Sequence, residues 1–194
     1  MASYPVRRKF TEREYLTIER AAEFKSEFLD GEIYAMSGAT RPHGRLQRNL
    51  LIEVHTAVRD RGCEALGSDS RVRTSDRSYF YPDVAVFCGP ERTTDHNRDT
   101  STNPTVIFEV LSPSTEKYDR DVKFRHYRTI DSLTDYLLIS QEQMYIEQYT
   151  RQPDGTWNRR DYWNPEEELK IESIGVAIPL ARIYDQVEFP PAEN

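Results

Sequence analysis

Residues 105–111 read Thr-Val-Ile-Phe-Glu-Val-Leu, an almost unbroken apolar run closed by Asn103-Pro104 before it and Ser112-Pro113 after it. A short apolar run between such breakers predicts a strand covered on both faces, which a lone sheet cannot provide and a layered α/β domain can. Glu109 stands inside this run, and Asp83 stands in the similar run Tyr-Phe-Tyr-Pro-Asp-Val-Ala-Val-Phe over residues 79–87. Carboxylates are almost never fully buried unless they are paired or bind a cation. Two of them on consecutive, adjacent strands are the makings of a divalent-metal site. Mg²⁺ and Mn²⁺ take hard oxygen ligands: carboxylates, a backbone carbonyl and water. The plainer alternative is a salt bridge from one acid to an arginine such as Arg71 or Arg73.

The rest of the chain supplies the layers. Thr11 caps a helix over residues 11–22, with Glu14 at capping-box spacing. Asp30-Gly31, between two apolar-rich arms, predicts a tight hairpin. Leu46, Leu50, Leu51, Val54 and Val58 recur at helical period over residues 42–60, and Gly62 follows as a stop. Two strand arms come next, Ala-Leu-Gly-Ser-Asp-Ser-Arg-Val-Arg-Thr and the run containing Asp83, joined by the turn Ser-Asp-Arg-Ser. After the run at 105–111, Ser114 or Thr115 caps a second long helix over residues 116–129. Strands Asp-Tyr-Leu-Leu-Ile-Ser and Met-Tyr-Ile-Glu-Gln-Tyr follow, then a weaker one at 156–163 and one or two more around 174–180 before a loose end. This order predicts an α/β sandwich with a mixed central sheet flanked by helices.

Charge does not settle the partner. The formal net charge is −7. From Pro165 onward seven acids face only Lys170 and Arg182, so that segment carries −5 and residues 1–164 carry −2. Within 1–164, Arg41, Arg45 and Arg48 form one basic cluster and Lys117, Arg120, Lys123, Arg125 and Arg128 another. Each cluster by itself reads as a solvated helix face. The two cysteines, Cys63 and Cys88, are too few for a disulfide framework and lack zinc spacing, so two reduced thiols are expected. The N-terminal stretch has no apolar leader, and no segment approaches a membrane span. A soluble, cytoplasmic protein is the expectation.

The strings Tyr-Pro-Asp-Val-Ala-Val-Phe-Cys-Gly-Pro and the segment from Pro104 to Ser140, with Glu-Val-Leu-Ser-Pro-Ser-Thr as its most specific part, resemble the putative restriction endonuclease family of the PD-(D/E)XK nuclease superfamily. The resemblance runs from about Glu27 to Tyr149. It implies a restriction-endonuclease-like sandwich as a single domain over 1–194. The core would lie at about 24–150, with an N-terminal helix at 11–22 and an acidic C-terminal extension at 165–194. It also implies roles. Asp83 and Glu109 would be metal ligands, with the Val110 carbonyl as a third oxygen. The superfamily's lysine would fall two residues past Glu109, where this chain has Leu111. The family places it on the following helix, at Lys123 here. Without the resemblance, Lys123 reads as a surface lysine paired with Asp119 four residues earlier. Glu27 and His43 match a further acid and a histidine of the family; a hairpin charge and a helix-capping histidine are their plainer readings.

The activity so implied is Mg²⁺- or Mn²⁺-dependent hydrolysis of phosphodiester bonds in nucleic acid, with DNA the expected partner. A homodimer is expected only by analogy with enzymes that cut both strands. Leu111 at the usual lysine position favours a rival, a catalytically inactive nuclease fold that binds nucleic acid or protein. A glycosidase using Asp83 and Glu109 as acid and base is a second rival. No aromatic pattern marks a sugar groove.

Overall fold

The computed structural model describes residues 8–190. Residues 1–7, with part of the stretch read as lacking a leader, and 191–194, the end of the expected loose tail, lie outside the described residues. Helix α1, Glu12–Ala21, starts at the expected capping box, with Thr11 and Glu14 bonding each other's backbone N–H. Strands β1, Ser26–Leu29, and β2, Glu32–Ala35, form the hairpin with Glu27 opposite Tyr34. Asp30 and Gly31 both take positive φ, 51° and 85°. Two successive left-handed residues match the right-handed twist of the strands they join. Helix α2, Arg41–Val58, is capped by Thr40 and buries Leu46, Leu50, Val54 and Val58 along one face.

The two strand arms expected next are each broken in two. The first gives β3, Cys63–Gly67, and β4, Arg71–Arg73; the second gives β5, Tyr79–Phe80, and β6, Val84–Cys88. At each break the chain steps from one sheet to another. Strand β7 is Thr100–Ser101, β8 Val106–Leu111, β9 Asp135–Ser140, β10 Ile146–Arg151 and β11 Trp157–Tyr162. One sheet has the order β2-β1-β5-β4-β7, and the other β11-β10-β9-β8-β6-β3. Strands β8 and β9 are parallel and β6 pairs antiparallel with β8, so the six-stranded sheet is mixed.

Parallel neighbours need a crossover. Here it is the helical segment after β8, which opens as a π-helical turn, Tyr118–Lys123, and continues as α3, Phe124–Tyr127. The expected helix over 116–129 is therefore shorter and carries a change of hydrogen-bond register.

Strands β12, Glu168–Ile171, and β13, Val176–Pro179, pair as a hairpin, and α4 spans Leu180–Ile183. One core joins α2, this hairpin and α4 to the face of the six-stranded sheet bearing Val84, Val86, Phe108 and Val110. The other core joins the opposite face, with Ala85, Ile107 and Leu111, to Tyr127, Ile130, Val72 and Phe80. The acidic C-terminal extension, expected to hold a strand or two around 174–180 before a loose end, is packed: its apolar residues alternate inward while acids such as Glu168 point out.

Cys63 and Cys88 correct the expectation of two reduced thiols. They are cross-strand partners in the β3–β6 pair and are joined as a disulfide. Their sequence separation of 25 gives no hint of that register. No helix among the described residues is long and apolar enough to cross a membrane.

Candidate active site

β8 is buried along its whole length, and alternation along a strand decides which way Glu109 faces. Ile107 and Leu111 point into the second core, so Glu109 points to the same side, where the crossover helix lies. Lys123 reaches it from that helix. Its Nζ stands 3.1 Å from Glu109 Oε1, 3.2 Å from Glu27 Oε1 and 3.3 Å from Asp119 Oδ1. Tyr127 Oη, one turn later, donates to Glu109 Oε1 at 3.1 Å. The i−4 pairing of Lys123 with Asp119 is present, but in the interior, with both residues buried. Leu111, at the usual lysine position, is an ordinary core residue.

Asp83 lies just before β6, where the chain passes between sheets, and three protein groups hold it through four contacts. His43 Nε2 approaches Asp83 Oδ1 at 2.9 Å, and Gln47 Nε2 donates to the same oxygen at 3.1 Å. Asp83 Oδ2 accepts the backbone N–H of Val110 at 2.7 Å, tying this carboxylate to the residue after Glu109. The fourth is the bond from Gln47 Nε2 to the Asp83 carbonyl at 3.4 Å. His43 occupies the first turn of α2 and Gln47 the next, on one helix face. Sequence reading missed Gln47, although its spacing from His43 was the available signal. It also gave no role to Asp119, Tyr118 or Tyr136.

The electrostatics are lopsided. Burial raises the Glu109 carboxyl well above its usual range; Lys123 opposes this, while Asp119, Asp83 and Glu27 add to it. Burial likewise raises Asp119, again against the pull of Lys123. Burial disfavours the Lys123 ammonium, yet Glu109, Glu27 and Asp119 outweigh it and hold the amine well above the usual lysine range. Glu27 Oε1 is buried without a hydrogen bond, although Lys123 lies within ion-pair distance. Tyr118 Oη is also buried, facing Glu27, and burial pushes that phenol far up, with Glu27 next in effect. Three buried carboxylates, Glu27, Glu109 and Asp119, thus converge on one ammonium, with the buried Asp83 tied in through Val110 N–H.

All five side chains singled out from sequence come together here. His43 joins Asp83, Lys123 joins Glu27 and Glu109, and Val110 bridges the two groups through its N–H. Among the described residues, no group of three or more His, Cys, Asp or Glu side chains already stands at metal-binding spacing. The donor set nevertheless suits a hard cation: one carboxylate on β8 and one at the entry to its neighbour β6, a neighbouring backbone carbonyl and excess negative charge. Solvent reaches the site from the His43–Asp83 end, where the side chains are 16% and 13% exposed, against 3% for Glu109.

A solved structure of a putative nuclease belonging to DUF820, from Anabaena variabilis ATCC 29413, matches this fold with a TM-score of 0.76. The match covers 92% of this chain and 99% of that one at 18% identity, so the likeness is one of fold, a restriction-endonuclease-like α/β sandwich. Two proteins of Synechocystis sp. (strain PCC 6803) are similar in sequence. The uncharacterized protein sll1609 is 42% identical over 148 residues, 76% of this chain and 84% of its own. The uncharacterized protein slr1290 is 35% identical over 184 residues, 93% and 94% of the two chains. The Uma2 family model matches residues 13–181, a span that takes in Glu27, His43, Asp83, Glu109 and Lys123 alike, and the chain belongs to this putative restriction endonuclease family.

Proposed function

We propose that the protein is a metal-dependent endonuclease that hydrolyses phosphodiester bonds of DNA. The observation that carries this reading is the convergence of three buried carboxylates on a single lysine beside a fourth, Asp83, a charge imbalance that a divalent cation would relieve. Asp83 and Glu109 would hold Mg²⁺ or Mn²⁺, with the Val110 carbonyl as a further oxygen. When bound, such an ion supplies Lewis acidity and a bound water of lowered pKa.

The chain's own groups do the rest. Val110 N–H, His43 and Gln47 fix the orientation of Asp83, so its carboxylate is set before any substrate arrives. Lys123 offsets negative charge as water attacks phosphorus. Glu27 faces the same ammonium and can take up a water by hydrogen bond at its unbonded Oε1. Hydrolysis consumes one water: a P–O ester bond breaks, and the leaving oxygen departs with a proton. With access from the His43 side, a substrate phosphate would pass near Arg41, an exposed residue of the first turn of α2. Lys117, Arg125 and Arg128 are also exposed and can follow a nucleic-acid backbone without reading its sequence.

The inactive-module reading drew on Leu111. Lys123 weakens it, because an ammonium reaches Glu109 from another element. The test is a calorimetric Mn²⁺ and Mg²⁺ titration of the wild type and Asp83→Ala, with a DNA cleavage assay with and without EDTA. Saturable binding and EDTA-sensitive cleavage, both lost in a folded Asp83→Ala, are expected. A wild type that neither binds metal nor cleaves DNA would return the reading to a binding module.

A further inference from the structure

The π-helical turn that carries Lys123 is gripped by one side chain from the sheet. In an α-helix the Asp119 carbonyl would accept the N–H of Lys123; here it accepts that of Phe124, five residues on. The same carbonyl also accepts Tyr136 Oη, from β9, at 3.0 Å. The Tyr136 ring stacks on Phe124, with centroids 5.0 Å apart and planes within 8°. Tyr136 therefore bonds the acceptor of this wide hydrogen bond and packs on the side chain of its donor, whose N–H also reaches the Asp121 carbonyl, and it is fully buried.

We infer that Tyr136 is a positioning residue: its hydroxyl fixes the π-turn and so aims the Lys123 ammonium between Glu27 and Glu109. A straight α-helix here would advance the residues from the end of the turn onward by roughly 100° about the axis. That would carry Lys123 and Tyr127 off the face on which they meet Glu109. No segment of the helix itself enforces the wider turn, since residues 116–129 contain neither Gly nor Pro. The constraint comes from β9, the parallel neighbour of the strand that bears Glu109. The activity part of this inference rests on the endonuclease reading; the geometric part does not.

Tyr136→Phe keeps the stacked ring and removes only the hydroxyl. Tyr162→Phe is the matched control, because Tyr162 is equally buried and its Oη donates a single bond, to Gln148 Oε1 at 2.9 Å, on the other side of the sheet. Heteronuclear NMR reads the Lys123 ammonium directly, assigned by its absence in Lys123→Arg. The wild type and Tyr162→Phe are expected to share one protected ammonium resonance, and Tyr136→Phe to shift or broaden it. In the cleavage assay Tyr136→Phe is expected to lower kcat by about 10- to 100-fold with KM unchanged. Both phenylalanine variants are expected to lower Tm by only about 2–4 °C. An unaltered Lys123 resonance in Tyr136→Phe overturns the inference, as does equal loss of kcat in the two variants. A wild type without nuclease activity counts against the endonuclease reading, and the resonance still decides the role of Tyr136.

Discussion

Lys123 and Glu109 are partners of unequal standing. Lys123 has three carboxylates within 3.3 Å, so removing any one leaves it compensated. Removing the lysine instead leaves Glu27, Glu109 and Asp119 buried together with no cation. Loss of one member of a buried pair costs about 3–5 kcal/mol when a charge is stranded. In metal-free buffer, Lys123→Met is therefore expected to lose stability on that scale, and Glu109→Gln to lose little or gain. Both should abolish cleavage. The pH dependence follows from the raised carboxyl of Glu109. A group whose pKa is higher folded than unfolded binds its proton more tightly when folded. Its stabilising contribution is complete below the ordinary carboxylate range and is lost as pH rises through the folded value. Wild-type Tm should thus rise on acidification from neutral toward about pH 5, with a smaller rise in Glu109→Gln. Asp99, held low chiefly by its bond from Arg20, acts in the opposite sense but only below about pH 4. Melting curves across pH for the two proteins check this, and parallel slopes would refute it. The anomaly that drives these effects, an acid inside an apolar run, was legible in sequence because it defies burial energetics. Lys123 was legible only through family resemblance, since a lysine four residues from an aspartate on a helix is ordinary. Asp119 was hidden by that same ordinariness.

At the scale of elements, signals confined to a few residues survived and those that depend on distant partners did not. The capping box at Thr11 and the Asp30-Gly31 turn are local, and both are present as read. The breaks between Gly67 and Arg71 and between Phe80 and Val84 left no mark, because alternation shows that a strand exists without saying which sheet it joins. The π-turn was likewise silent, being held from β9. The hairpin turn matters to the site because it sets the register of β1 and hence the place of Glu27. At Gly31, φ is 85°, and an added Cβ would stand 2.9 Å from Lys9 Cβ. Gly31→Ala should therefore cost about 1–2 kcal/mol from the left-handed backbone alone. A urea titration measures it; an unmoved midpoint would mean that the turn relaxes freely and does not anchor Glu27.

Across the whole molecule, the C-terminal segment shows how net charge can mislead about structure. Its acids made it read as an appendage, yet Leu169, Ile171, Ile174, Val176, Ile178, Leu180, Ile183 and Tyr184 all lie in the larger core beside α2. The Asn49 side chain on α2 donates to the carbonyls of Ile183 and Asp185, and Ser173 donates to the buried Asp135. Full burial of an aliphatic side chain is worth about 1.5–3 kcal/mol. Seven such residues, with Tyr184 beside them, match or outweigh the roughly 5–15 kcal/mol by which a typical domain is stable. A chain ending at Asn164 should accordingly lack fixed tertiary packing, with weak near-ultraviolet dichroism and strong binding of a hydrophobic dye. Neutralising the outward acids Glu166 and Glu168 with glutamine should leave Tm nearly unchanged, because exposed substitutions away from such contacts cost little. If the truncated chain melts cooperatively near the full-length temperature, residues 165–190 are dispensable to the core. If it does not, α2 depends on the hairpin and α4 for its packing, and His43 and Gln47 hold Asp83 only while that segment is in place.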